Sequence, residues 1–191
     1  MSYIPLAEKM RPKKLEDVVG QTHLLGDHGF IKQSVQRQHP LSLLLWGPPG
    51  CGKTTLAIAY ARAFGKSPII LSPVNSGIAD LKKVIAEIQS QPLFNQQTFI
   101  FIDEIHRYNK SQQDVLLPYV EKGTFILIGA TTENPSFSLN SPLLSRLRVL
   151  TLNALNSEDL ESLLVRYEKQ YHPLPLDTEA RQYLLKLAGG D

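Results

Sequence analysis

The sequence predicts an α/β fold in which helices cover both faces of a five-stranded parallel sheet. Five short apolar runs are rich in β-branched or aromatic residues, as is typical of buried strands, and helical patterns separate most of them. In addition, the glycine-rich segment Gly47–Thr54 joins the first of these runs to a helical pattern. The predicted strands are Leu41–Trp46, Pro68–Leu71, Thr98–Ile102, Thr124–Gly129 and Arg148–Leu152.

Three helical patterns lie between the predicted strands. The first is Thr55–Phe64, directly after the glycine-rich segment. Apolar residues from 78 to 88 repeat with helical spacing, and Ser76 could cap that second helix. The third is Ser111–Glu121, where we expect Pro118 to kink or shorten the helix because proline lacks an amide hydrogen.

The pattern changes after residue 154. Asn156 or Ser157 could cap one amphipathic helix, and a second follows at about Asp177–Ala188. We therefore predict an α/β domain at residues 1–154 and the beginning of a small helical domain at residues 155–191. Because two helices seldom form a stable core, we expect the chain to be a fragment that is cut within its second domain.

Composition narrows the function classes. The chain has 191 residues and a net charge of +2, which is too small to indicate nucleic-acid binding by itself. One cysteine excludes an internal disulfide and fits a reducing cytoplasm. We expect no membrane partner, because no stretch approaches the roughly 18 consecutive apolar residues of a membrane span.

The glycine-rich segment matches the pattern G-x-x-x-x-G-K-[ST], which binds nucleotide phosphates when it joins a strand to a helix. Its backbone N–H groups can point at phosphate oxygens, and the helix start adds partial positive charge. Lys53 can reach the β- and γ-phosphates, and the Thr54 hydroxyl can bind Mg²⁺. The alternative is a glycine-proline turn without a ligand. The predicted ATP-binding residues here are Gly47, Pro48, Pro49, Gly50, Cys51, Gly52, Lys53, Thr54 and Thr55.

Two carboxylates, Asp103 and Glu104, follow the apolar run that ends at Ile102. Asp103 suits the outer shell of Mg²⁺, because hard cations prefer oxygen ligands and keep several waters. Glu104 suits a general base that orients the attacking water. Two solvated carboxylates at a strand end are the alternative.

Polar residues also follow the next strand. Thr131 would lie beside the γ-phosphate if its strand lies between the other two, with Thr132 and Asn134 as rivals. A threonine-rich strand exit without a function is the alternative.

Further along the chain, Arg146 suits contact with a phosphoryl group. It could reach the nucleotide of a neighbouring subunit as an arginine finger. Otherwise Arg146 forms a surface ion pair.

Cys51 and His106 permit further hypotheses. A thiol at a helix start beside Lys53 should have a lowered pKa, so that maleimide would label it and ATP would protect it. Otherwise Cys51 is a small side chain tolerated in the loop. His106 could form local hydrogen bonds, or relay DNA or subunit contacts to Glu104, and the sequence does not decide between these.

These segments together resemble an AAA+ ATPase, and more narrowly the replication-associated recombination protein A family. That family is also called MgsA, and its eukaryotic relative interacts with the Werner helicase. The likeness covers about Pro5 to Asp191. The matching segments are Met10–Pro12, Val18–Gln21, Gly47–Thr54, Phe101–Arg107, Leu144–Arg146 and Gly129–Phe137, of which the last is the most specific.

The resemblance implies roles for several residues. Val18, Val19 and Gln21 would line the adenine pocket, Thr131 would be sensor 1, and Arg146 the arginine finger. Family members are DNA-stimulated, oligomeric Mg²⁺-ATPases that act at stalled replication forks and associate with single-stranded-DNA-binding protein. The resemblance therefore implies forked, gapped or single-stranded DNA ends as partners, and a cytoplasmic, nucleoid-associated location.

The sequence departs from that family at two places. The family usually carries threonine where this chain has Cys51, and it continues beyond Asp191 into its sensor 2 arginine, the rest of its lid and an oligomerisation domain. We therefore expect this segment alone to be mostly monomeric and to hydrolyse ATP poorly.

Three alternative functions stay open. A clamp-loader subunit has a similar layout, and a nucleotide-gated adaptor would bind ATP with little turnover. The Holliday-junction branch-migration motor shares the Asp-Glu-Ile-His-Arg run of residues 103–107. That motor inserts a β-hairpin before the sensor 1 strand, and residues 107–123 leave no room for one.

Overall fold

The computed structural model describes residues 5–73, 78–90 and 98–188. The possible helix cap at Ser76 lies outside them. Short 3₁₀ turns lie at Leu15–Asp17 and Ile105–Arg107. In chain order, the other elements are α1 (Leu6–Lys9), α2 (Thr22–Leu25), α3 (Phe30–Gln36), β1 (Leu43–Trp46), α4 (Lys53–Ala63), β2 (Ile69–Leu71), α5 (Ile78–Ser90), β3 (Thr98–Ile102), α6 (Lys110–Glu121), β4 (Phe125–Thr131), α7 (Pro135–Ser138), α8 (Ser141–Leu144), β5 (Arg148–Thr151), α9 (Ser157–Gln170) and α10 (Thr178–Ala188).

The five strands form one parallel sheet in the order β2-β3-β4-β1-β5. The predicted fold class is confirmed. Strand β4 lies between β1 and β3, which is the condition that the sequence set for Thr131. Trp46 at the end of β1 pairs with Thr131, so the carboxyl ends of these strands lie at one edge of the sheet.

Strand and helix ends differ from the predictions at a few places. Strand β1 begins at Leu43, because the Leu41 amide instead donates to the Tyr60 hydroxyl at 3.0 Å. Strand β4 continues through Thr131, two residues beyond the predicted end. Helix α6 runs through Pro118 to Glu121, so the proline does not shorten it. Between β3 and β4 the chain forms only the Ile105–Arg107 turn and α6, without a hairpin.

Alternate residues of each strand point to opposite faces of the sheet, and each face has its own core. Residues such as Leu43, Phe99 and Ile128 pack on one face, which α3 and α4 cover. Leu44, Ile100 and Leu127 pack on the other face, which α5 and α6 cover. The sheet is therefore buried on both sides, as parallel sheets usually are.

Helices α9 and α10 follow the sheet, and neither contains a fully buried residue. The Asn156 side chain caps α9 by accepting a hydrogen bond from the backbone amide of Asp159. The Asp159 side chain in turn accepts one from the backbone amide of Asn156. Arg181 of α10 holds the pair together through Glu161 and Glu168 of α9, at 2.8 Å each. Among the described residues, none of the helices is long and apolar enough to span a bilayer. The domain boundary at residue 154 stays a prediction.

Replacing Leu44 tests the buried sheet. Leu44→Ala should lower the free energy of unfolding by about 2–5 kcal/mol, because Leu44 is fully buried on the interior strand β1 and its removal leaves a cavity. The measurement is urea denaturation followed by circular dichroism. Val149→Ala on the edge strand β5, where Val149 is 39% exposed, is the matched control and should cost much less. Equal losses in the two variants would contradict this packing.

Candidate functional site

The phosphate-binding segment forms a tight loop between β1 and α4. Gly50 and Gly52 have φ angles of 70° and 92°, which residues with a side chain rarely adopt. A Cβ atom on Gly47 would lie 2.6 Å from the Leu152 carbonyl oxygen. The Gly47 amide donates to the Thr131 carbonyl at 3.2 Å, which joins the start of the loop to the end of β4.

The Lys53 ammonium group forms hydrogen bonds with the backbone of this loop. It donates to the carbonyls of Gly47 and Pro48 at 2.9 and 2.8 Å, and the residue is only 7% exposed. A buried charge needs such partners, because its desolvation is otherwise costly. Lys53 is the first residue of α4, and its side chain lies beside the backbone of the predicted phosphate-binding loop.

The structure brings Thr54 and Asp103 together. The Thr54 hydroxyl donates to Asp103 Oδ2 at 3.3 Å, and Asp103 Oδ1 accepts from the Glu104 amide at 3.1 Å. A hydroxyl and a carboxylate are the oxygen ligands that Mg²⁺ prefers. These two residues therefore fit a magnesium ion bound next to the phosphate loop.

Glu104 has a backbone conformation that is unusual for a residue with a side chain. Its φ and ψ angles are 51° and 49°, in the left-handed region. The left-handed conformation of Glu104 redirects the chain after β3 into the Ile105–Arg107 turn. Oε2 of Glu104 is buried, and its near neighbour is His106 Nδ1 at 3.1 Å. Oε2 thus faces inward at the sheet edge, while the side chain as a whole is 32% exposed.

Thr131 ends β4 and is fully buried. Its hydroxyl accepts from the Glu133 amide at 3.0 Å and lies 2.9 Å from His106 Nδ1. The rival residue Asn134 is already engaged, because its side chain accepts from the Ser136 amide and caps α7. This geometry favours Thr131 as the hydroxyl at the sheet edge.

Arg146 lies just after α8 and is exposed. Its Nη2 lies 2.9 Å from Glu121 Oε1, and Nη1 donates to the Ser145 hydroxyl at 2.7 Å. Neither partner belongs to the phosphate loop or to the Asp103–Glu104 pair. In this structure Arg146 has the surface ion pair that was the alternative to an arginine finger.

A cavity of about 530 Å³ lies between the phosphate loop, the N-terminal segment and α9. Predicted residues in its wall are Val18, Val19, Gly50, Cys51, Gly52 and Thr55. Its other lining residues include Met10, Arg11, Pro12, Leu163, Leu164 and Tyr167, to which sequence reasoning assigned no site role. The signal for the α9 residues was the amphipathic pattern of that helix, which the sequence analysis assigned only to the beginning of a helical domain.

Gln21, which the resemblance assigned to the adenine pocket, is not among the residues that line this cavity. Its side chain is buried but does not line the cavity. Its amide nitrogen donates to the carbonyls of Asn153 and Cys51 at 2.7 and 3.3 Å, and its oxygen accepts from the Asn153 amide at 3.0 Å. Gln21 instead bridges the phosphate loop and the segment between β5 and α9.

The expectation of a lowered Cys51 pKa is wrong. The thiol is 1% exposed, and burial raises the pKa of Cys51 above its usual value, with the nearby Lys53 charge offsetting only part of this effect. The helix start does not compensate for the loss of water around the sulfur.

Thiol labelling tests this environment. Because the thiolate is the reactive form, a raised pKa and burial should make Cys51 react with maleimide at pH 7 much more slowly than glutathione does. The rate should rise towards that of glutathione in denaturant, and the single cysteine gives an unambiguous stoichiometry. A native rate equal to that of free glutathione would contradict the buried thiol.

The chain matches known proteins across this whole site. The model of the family "ATPase family associated with various cellular activities (AAA)" matches residues 43–154. RuvB of Thermotoga maritima, named as a Holliday junction branch migration motor, matches with a TM-score of 0.76 and 28% identity, over 95% of this chain and 61% of that chain.

Curated relatives share more of the sequence. ATPase WRNIP1 of Dictyostelium discoideum is 47% identical over 100% of this chain and 22% of its own length. Replication-associated recombination protein A is 48% identical in Haemophilus influenzae, over 84% of this chain and 36% of that protein. The protein of Escherichia coli K12 is 41% identical, over 100% of this chain and 44% of its own length.

The chain thus spans less than half the length of these relatives. Its sequence agrees with theirs, and its fold agrees with that of RuvB. The chain belongs to the AAA family of ATPases, and within it to the group of replication-associated recombination protein A and WRNIP1.

Proposed function

We propose that the complete protein hydrolyses Mg²⁺-ATP when DNA is bound and uses the energy for conformational work at replication forks. One observation carries the ATPase part of this proposal. Lys53, the Thr54–Asp103 pair, Glu104 and Thr131 meet at the same edge of the parallel sheet. Ligands of open α/β sheets bind at this edge, outside the carboxyl ends of the strands.

The phosphate loop and the adjacent cavity together suit a nucleoside triphosphate. The Lys53 ammonium would exchange the carbonyls of Gly47 and Pro48 for β- and γ-phosphate oxygens, which are charged and therefore stronger acceptors. The adenine would enter the largely apolar cavity, against Val18, Val19 and Tyr167. The phosphates would thus bind at the polar part of the loop beside Lys53, and the base would bind in the apolar cavity next to it.

Thr54 and Asp103 would hold the magnesium ion, Thr54 by its hydroxyl and Asp103 through water. When bound, Mg²⁺ neutralises charge on the β- and γ-phosphate oxygens. Because Thr54 now donates to Asp103, its hydroxyl already points toward the carboxylate that would share the ion. No change of strand or helix is needed to form this pair.

Glu104 would act as the general base. It would accept a proton from the water whose oxygen forms the new bond to the γ-phosphorus, while the bond to the leaving ADP oxygen breaks. Thr131 would contact the γ-phosphate by its hydroxyl, and Lys53 would stabilise the charge on the transferring group. The buried position of Glu104 Oε2 and Thr131 supports these roles, because electrostatic contacts are stronger away from bulk water.

Arg146 would reach the γ-phosphate of a neighbouring copy. Its present partner Glu121 is about as exposed as Arg146 itself, at 41% and 46%, and exposed ion pairs contribute little free energy. Releasing Arg146 to a neighbour therefore costs little. Assembly of several copies would complete each site, which supports a homo-oligomer for the complete protein and weak turnover for an isolated segment.

The names of the relatives support replication and recombination as the setting. We propose forked, gapped or single-stranded DNA ends, and single-stranded-DNA-binding protein, as partners of the complete protein. The direct path from β3 through α6 to β4, without a hairpin, favours this role over that of a branch-migration motor. Movement of α9 and α10 relative to the sheet would transmit hydrolysis to those partners.

Glu104→Gln in the complete protein tests the proposed base. Turnover should be lost while ATP binding is kept, because the amide retains the shape of the carboxylate but accepts no proton. Steady-state hydrolysis with forked, gapped, single-stranded and four-way-junction DNA measures turnover, and calorimetry measures binding. Glu87→Gln, exposed on α5, is the matched control and should behave as the unchanged protein. Turnover that survives Glu104→Gln would refute the base, and an absence of binding heat would refute the ATP site.

Arg146→Ala in the complete protein tests the arginine finger. We expect kcat to fall by about 10³-fold or more with nearly unchanged ATP affinity, because the arginine acts on a neighbour's transition state. Arg62→Ala, exposed on α4, is the control. Mixing Arg146→Ala with Lys53→Ala subunits should restore some turnover, since each copy supplies what the other lacks. A large loss of affinity, or mixtures without recovery, would contradict action between subunits.

A further inference from the structure

His106 lies between the two groups that the proposed reaction depends on most. Its Nδ1 atom is 2.9 Å from the Thr131 hydroxyl and 3.1 Å from Glu104 Oε2. Its other ring nitrogen, Nε2, is 3.6 Å from Glu133 Oε1. The imidazole side chain is only 11% exposed. The ring is therefore held among three polar side chains at the end of β4.

Proton positions around Nδ1 follow from these distances. If Nδ1 carried no proton, its lone pair would face a carboxylate oxygen at 3.1 Å, which is unfavourable. A hydrogen on Nδ1 removes this conflict, because it can be donated to the Thr131 oxygen and places positive charge beside Glu104 Oε2, which lies 3.1 Å from the nitrogen. The tautomer with Nδ1–H is therefore the one that suits Glu104, whose Oε2 is buried and has no hydrogen-bond partner among the described residues.

The same tautomer fixes the Thr131 hydroxyl. Its oxygen then accepts from His106 Nδ1–H and from the Glu133 amide at 3.0 Å, so both of its lone pairs are used. The hydroxyl hydrogen keeps only a long contact of 3.4 Å to the Glu133 carbonyl. It is therefore available to a better acceptor, such as a phosphate oxygen.

We propose that His106 is a positioning residue that orients the Thr131 hydroxyl and the Glu104 carboxylate together. This inference rests on the proposed function, in which these two groups contact the γ-phosphate and the attacking water. One Nδ1–H group sets the direction in which Thr131 donates and limits the rotation of Glu104. Without it, both side chains keep their identity but lose their shared orientation.

Three substitutions of His106 in the complete protein test this role. His106→Ala should lower kcat by about 10- to 100-fold, the range expected when supporting contacts are lost, with an unchanged Kd for ATP. The amide of His106→Asn can place an N–H close to the Nδ1 position and should restore most of kcat. The longer His106→Gln places its amide near the Nε2 position and should be as slow as His106→Ala.

A double-mutant cycle provides an independent readout. Because His106 acts through Thr131, the loss from His106→Ala should be smaller in a Thr131→Ala background than in the unchanged protein. Fully additive losses would overturn the proposal, as would a normal kcat in His106→Ala or equal kcat values for the Asn and Gln variants. If His106→Ala does not fold, the comparison between Asn and Gln still decides.

The outcome is separable from that of the proposed function. If Glu104→Gln is inactive and His106→Ala is normal, only the positioning role of His106 fails. If Glu104→Gln hydrolyses ATP normally, the assignment of the base fails first. If His106 had only a structural role, the three variants would show the same fall in melting temperature and the same fall in kcat. That result also overturns the proposal.

Discussion

The order of the strands is the constraint from which the site follows. With β4 between β1 and β3, the chain leaves three adjacent strands at the same edge of the sheet. The loop after β1 holds Lys53, the exit of β3 carries Asp103 and Glu104, and the end of β4 carries Thr131. Hydrogen bonds from Gly47 to Thr131 and from Thr54 to Asp103 join the three exits directly. A different strand order would separate groups that now lie within hydrogen-bond distance.

Most polar groups of the site have a partner within the protein itself, and Glu104 Oε2 is the exception among those described. Carbonyls of the loop hold Lys53, Thr54 holds Asp103, His106 contacts Thr131, and Glu121 holds Arg146. For the buried Lys53 and Thr131 these contacts replace the hydrogen bonds that water would otherwise make. They also mean that ligand binding would be an exchange of partners, in which the net free energy is the difference between two sets of hydrogen bonds.

Local sequence patterns were enough to predict the sheet and the phosphate loop. The strands are continuous apolar runs, and the glycines at residues 50 and 52 have the positive φ angles that the loop requires. Contacts between distant segments could not be predicted in this way. The apolar face of α9 looks the same in sequence whether it covers a core or a cavity, and the structure shows that it lines the cavity. Similarly, the prediction for Cys51 considered the nearby charge but not the depth of burial, which only the fold determines.

The comparison of Thr131 with Asn134 shows what the fold adds to a run of polar residues. All of the candidates at this strand exit can donate a hydrogen bond, so residue type alone did not choose among them. The structure commits Asn134 to the first turn of α7 and buries Thr131 beside His106. His106 itself was ambiguous in the sequence, because its partners are 2 and 25 residues away.

The side-chain amide of Gln21 connects the phosphate loop to the segment before α9. It is bonded to the main chain on both sides, at Cys51 in the loop and at Asn153 just before α9. A shift of the Cys51 carbonyl must therefore either carry Asn153 with it or break the bridge. Because α9 begins four residues after Asn153, a displacement of Asn153 would reach the start of that helix first.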